Sequence, residues 1–180
     1  MGKKLKILFA NIPTPGNRFV LDLKEGLEQH VDVIWDHQEF WNMKNEYDII
    51  HIHWPEYLSF ELESYLYKPT ESIPNEIWEK TINCLEYWSK NAKIIYSRHV
   101  QFPHARHDEE FLKLYKTVAS YCDTIVHFAN YSIQQFKKWY PDLEHIKHVV
   151  IPHHNYASLP NTSTKQQARD HLNIDSGKRV

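Results

Sequence analysis

Four short apolar runs each finish in a histidine-bearing polar tail: Ile49-Ile50-His51-Ile52-His53-Trp54-Pro55, Ile94-Ile95-Tyr96-Ser97-Arg98-His99, Thr124-Ile125-Val126-His127 and Val149-Val150-Ile151-Pro152-His153-His154. Short continuous apolar runs of this kind are what strands buried on both faces show. If they are parallel strands joined by helices, their carboxyl ends lie along one edge of the sheet, where open α/β folds place a ligand crevice. The chain is then expected to bring His53, His99 and His153 to one cleft.

The intervening segments support that reading. Strand patterns at Leu5 to Ala10, Val31 to Trp35, Asp48 to His53, Lys93 to Ser97, Thr124 to Phe128 and His148 to Ile151 alternate with helical spacings. The helical series are Phe19, Val20, Leu23, Leu27; then Ile77, Trp78, Ile82, Leu85, Trp88; then Phe111, Leu114, Tyr115, Val118, Cys122; then Ile133, Phe136 and Trp139 or Tyr140. Pro55 is expected to stop regular structure, with a short helix following over Leu58 to Leu66. Alternation of this kind predicts an α/β, Rossmann-like, mostly parallel sheet of about six strands with helices on both faces. Residues 1–160 read as that domain, and residues 161–180 as a helix and linker leading onward.

At 180 residues the chain fits one domain, able to bury roughly 70% of its unfolded surface. Only 4 glycines are present, which leaves little supply for a glycine-rich nucleotide loop. A net charge of −2 gives no basic footprint, so nucleic acid is not an expected partner. Cys84 and Cys122 sit apart within helical patterns, as buried thiols of a reducing compartment do. No run approaches the roughly 20 apolar residues of a membrane span. The chain reads as cytoplasmic.

A family resemblance adds to this. The order of Lys6-Ile7-Leu8-Phe9, a Gly16-containing loop, Asp48-Ile49-Ile50-His51-Ile52-His53-Trp54, Ser97-Arg98-His99 with Pro103-His104, Asp123-Thr124-Ile125-Val126 and Ile151-Pro152-His153-His154-Asn155-Tyr156 resembles the amino-terminal domain of a GT-B glycosyltransferase. It is most similar to family 4, the retaining sugar transferases of bacterial polysaccharide assembly. Gln167-Ala168-Arg169-Asp170-His171-Leu172-Asn173-Ile174 resembles the segment that leads to that family's second domain. The resemblance implies a nucleotide-sugar donor gripped by a carboxyl-terminal Glu-x7-Glu domain, a glycan or lipid-linked acceptor held by this half, and no metal or other cofactor. A lipid-linked acceptor brings the inner face of a membrane within reach. The one basic aromatic cluster, Lys137-Lys138 beside Trp139-Tyr140, is equally a helix end against solvent.

Carried over by position, His99 matches the histidine that approaches the transferred sugar and is the expected catalytic residue. An imidazole there can donate or accept a hydrogen bond near neutral pH. Gly16 matches a loop glycine that admits a ligand close to the backbone, although Thr14-Pro15-Gly16-Asn17 offers one glycine where the family commonly has two. Asn17 is the expected side-chain contact in its place. Arg98 pairs with an acceptor phosphate or with Glu56. Trp54 either stacks on a sugar ring or closes the core beneath its loop. His53, His104, His153 and Asn155 complete the expected substrate contacts, with Tyr156 beside them. Two other readings stay open: a metal-dependent hydrolase built on His51 and His53 with His99, His153 or Asp108, and a non-catalytic sugar-binding domain.

Overall fold

The computed structural model describes residues 4–155, 162–175 and 177–178. Strands β1 (Lys6–Phe9), β2 (Asp32–Trp35), β3 (Ile49–Ile52), β4 (Lys93–Ser97), β5 (Thr124–His127) and β6 (Lys147–Val150) form one sheet in the order β2-β1-β3-β4-β5-β6. Every pairing is parallel. The helices are α1 (Arg18–Glu28), α2 (His37–Asn42), α3 (Phe60–Ser64), α4 (Asn75–Asn91), α5 (Glu109–Ser120), α6 (Asn130–Trp139) and α7 (Lys165–His171). In this doubly wound order the chain winds one way from β1 to β2 and the other way from β3 onward. The switch point lies between β1 and β3.

Part-buried aspartate contacts fix where strands begin. Asp48 accepts the Lys6 N–H at 2.7 Å and Asp123 accepts the Ile94 N–H at 2.9 Å, so the residue before β3 and the residue before β5 each tie down a neighbouring strand. Side-chain alternation along the strands then makes two layers. Leu8, Ile50, Ile52, Ile94, Tyr96 and Ile125 face α2 to α6 and meet Phe40, Leu62, Trp88, Leu114 and Phe136. Ile7, Phe9 and Val33 face α1 and meet Phe19 and Val20.

The cover is thus unequal. Helices lie on both faces as expected, but among the described residues α1 alone packs on its side. Along β4 to β6 that side carries Ile95 and Val149, which are half-buried, and Ile151 just beyond β6, which is 57% exposed.

One local expectation is corrected, and one helix is added. Pro55 does not end regular structure: it starts a 3₁₀ turn, Pro55–Leu58, since its fixed φ and missing N–H suit a first helical position. Helix α2 carries no long apolar periodicity; Asp36 caps it by accepting the Gln38 N–H at 2.8 Å, and Met43 closes it in the left-handed region at φ 52°, where glycine or asparagine is usual. Ser158 to Asn161 and Tyr156 lie outside the described residues. No helix among the described residues is long and apolar enough to cross a membrane.

The core's main single anchor is Trp88, 1% exposed, whose indole donates to the Phe40 carbonyl at 2.8 Å and stacks near the Phe40 ring. Trp88→Ala removes the ring, opens a cavity and leaves that carbonyl unpaired. A loss of about 3–5 kcal/mol is expected, read as a lower urea midpoint with an unchanged slope.

Candidate functional site

The carboxyl ends of β1 and β3 diverge at the switch point, and Asn11 bridges the gap. Its Oδ1 accepts the His53 N–H at 2.7 Å, its Nδ2 donates to the Trp54 carbonyl at 2.5 Å, and its own carbonyl receives the Trp35 indole at 3.0 Å. One residue further on, the Ile12 N–H reaches the Tyr57 carbonyl at 2.7 Å. These contacts lay the loop after β1 against the segment after β3.

The cleft so formed has a volume of about 630 Å³, within the range of small-molecule sites. The 11–17 loop makes one wall. His53, Trp54, Glu56 and Tyr57 make the floor, and Leu66, Tyr67, Pro103, His104 and Ala105 make the far wall. Buried Arg106 ties the parts of that far wall together. Its guanidinium donates to the Tyr65 and Lys68 carbonyls at 2.8 and 3.1 Å, and to Asp108, which caps α5.

Gly16, Asn17, His53, Trp54 and His104 all line this cleft. A Cβ at Gly16 would meet nothing within 4 Å, so the fold itself does not demand glycine there. Asn17 has a structural duty as well: its Oδ1 caps α1 by accepting the Val20 N–H at 3.3 Å.

His99 stands beside the cleft. Its Nε2 lies 3.1 Å from His53 Nδ1, and its ring stacks on Trp54 at 4.3 Å and 22°. Phe19 of α1 touches the rings of His53, His99, His153 and His154, with centroids 6.2, 4.9, 4.5 and 4.8 Å away. The strand-end histidines therefore do gather, around a phenylalanine. His153 and Asn155 are exposed after β6 and do not line the cleft.

Burial decides the charge of this cluster. It lowers the His51 pKa to about 4 and that of His99 to about 3, and holds His53 well below the ordinary histidine range. His99 is thus a neutral hydrogen-bonding group at physiological pH. His51 is committed to Ser97, Nε2 to Oγ at 2.8 Å. Asp108 is committed to Arg106 and the α5 cap. Among the described residues no three His, Cys, Asp or Glu side chains converge to hold a metal ion, so the geometry gives the hydrolase reading no support.

Arg98 is a second correction. Strand alternation sends it to the face opposite His99, where it is 5% exposed and donates to the Ser132 carbonyl and hydroxyl at 3.2 and 2.8 Å. It neither lines the cleft nor pairs with Glu56. Tyr140 is likewise in the core, which reduces the basic aromatic cluster to two lysines and Trp139, whose ring leans on Phe102.

Glu56, expected only as a partner for Arg98, is itself a residue of the cleft. It is 2% exposed yet lines the cleft, its Oε2 accepts the Tyr115 hydroxyl at 2.7 Å, and among the described residues no cation pairs with it. Burial raises its pKa to about 7. The signal was an acidic residue inside the apolar run Trp54-Pro55-Glu56-Tyr57-Leu58, directly after a proline that starts a turn.

Two expectations follow from this geometry. Asn11→Ala leaves the His53 N–H and the Trp54 carbonyl without partners, and should cost about 1–3 kcal/mol, measured by urea unfolding. Stability should also fall in acid. The unfolded state protonates histidine below pH 6.5, whereas His51, His53, His99 and His127 (about 3) stay neutral in the fold. Their contribution is full above pH 6.5 and is lost as pH drops toward 3–4. Glu56 acts oppositely, its raised pKa costing stability as pH rises from 4.5 through 7. With four histidines against one carboxyl, the urea midpoint should rise from pH 4 to pH 6.5; a flat profile would contradict the assignment of neutral histidines.

Comparison with protein families, with curated proteins and with solved structures found no significant match to this chain.

Proposed function

We propose that this chain is the acceptor-side half of a GT-B glycosyltransferase resembling family 4, acting in the assembly of a polysaccharide. A second domain grips the nucleotide-sugar donor, and the cleft described above receives the glycan or lipid-linked acceptor. The observation that carries this reading is the convergence of Gly16, Asn17, His53, Trp54 and His104 on one cleft at the β1/β3 switch point. The segments that hold them are those that resemble the family.

In this reading His99 works as a neutral imidazole. Its Nε2 is engaged by His53, and no described residue hydrogen-bonds its Nδ1. That nitrogen is available to a hydroxyl of the reacting sugar, with the ring fixed by Trp54, Phe19 and Phe128. Prior fixing matters because orientation is gained before the transition state forms. No metal or other cofactor takes part. The exposed Trp139 with Lys138 is the surface on which a membrane-borne acceptor would approach.

The test is transfer activity with the donor-binding half present. His99→Ala should lower kcat by ~10²–10⁴, equivalent to about 3–5 kcal/mol of transition-state free energy. His145→Ala serves as control, being exposed and far along the chain from the cleft residues. His127 would not serve, because it is fully buried against Ser132 and His148. Equal activity of the His99 and His145 variants would refute the assignment.

A further inference from the structure

Charge in the cleft is more selective than its shape. Among the described residues no lysine or arginine lines it. The nearby guanidiniums are spent elsewhere: Arg98 on Ser132 beneath the opposite face, Arg106 on Asp108 and two carbonyls, and Arg18 on Asp22 within α1. His53 is held neutral by burial. Among the described lining residues the one acid is Glu56, which accepts the Tyr115 hydroxyl through Oε2 and also its own backbone N–H, leaving carboxylate lone pairs for a further donor. His53 Nε2 is a buried polar atom of the same floor with no hydrogen-bond partner among the described residues.

We infer that this cleft takes an uncharged sugar ring and that Glu56 selects it by accepting a hydrogen bond from a ring hydroxyl. Above about pH 7, where Glu56 is ionised, a phosphorylated sugar or a uronic acid would bring an anion to a desolvated carboxylate with no cation among the described lining residues to offset it, a penalty that low polarity magnifies. A neutral pyranose meets donors and acceptors on the floor. Its C–H faces meet Trp35, Trp54, Tyr57 and Tyr67. The inference rests on the sugar-transfer reading and adds the charge class of what this half binds.

The chain alone can be tested by following its tryptophan indole N–H resonances, with Trp35 and Trp54 reporting on the cleft. The probes are the methyl glycosides of glucose, galactose, mannose and N-acetylglucosamine, against glucose 6-phosphate and glucuronate, each to about 20 mM, where weak single-ring binding saturates. At least one neutral glycoside should shift Trp35 or Trp54, and both anions should bind at least about 5-fold more weakly. Glu56→Gln should weaken the neutral glycoside by about 10-fold and narrow the gap to the anions, an effect that a purely structural role would not produce. Should that variant fail to fold by circular dichroism, Tyr67→Ala at the exposed rim should weaken the neutral glycoside instead, and unchanged affinity would count against the inference. Tighter binding of either anion, or a folded Glu56→Gln with unchanged preference, overturns the inference and leaves the sugar-transfer reading intact. If no probe moves Trp35 or Trp54, both fall.

Discussion

The side chain of Asn11 is what the site depends on. Parallel strands that leave a switch point send their loops apart, and the backbone groups at the strand ends lose their ladder partners there. Asn11 supplies both an acceptor and a donor across that gap, to the His53 N–H and the Trp54 carbonyl. An aspartate could not donate and a serine could not span both groups. With the floor tied to β1, the 3₁₀ turn that follows is aimed so that Glu56 enters the cleft and Tyr57 anchors Ile12.

A chain with 13 histidines invites a reading in metals or in proton transfer, yet most of the strand-borne ones are spent on neutral contacts. His51 bonds Ser97, His53 bonds His99, and His127 bonds both Ser132 and His148. Desolvation outweighs any gain from protonation where no carboxylate is near. The result is a set of polar but uncharged histidines, suited to hydroxyl groups. Glu56, the one acid among the described lining residues, placed at the start of a turn, then dominates the site's electrostatics.

The strands were legible in the sequence because burial on both faces writes them as unbroken apolar runs; Lys93 to Ser97 appears with the same limits in the structure. The gathering of His53, His99 and His153 followed from topology alone, since parallel strands share one carboxyl edge. Direction across the sheet was harder. Arg98 and His99 are adjacent, so one of them had to face away, and the tail of a strand carries no periodicity to say which. Helix α2 is held by its Asp36 cap and by Phe40 in the core, both of which are tertiary or single-residue signals. Glu56 needed the turn at Pro55 to be seen before its inward aim could be inferred.

The uneven cover of the sheet has a dynamic consequence. β6 is an edge strand with three half-buried positions, and its α1-side surface has no helix over it among the described residues. Local opening starts where buried apolar contacts are fewest. Amide hydrogens of Lys147 to Val150 therefore exchange ahead of those of β1 and β3, whose residues carry both cores. When β6 loosens, His153 leaves the ring contacts of Phe19 while the Asn11 bridge stays closed. His153 and His154, at the β6 end of the histidine cluster, thus belong to a less stable segment than His53 and His99 at the cleft.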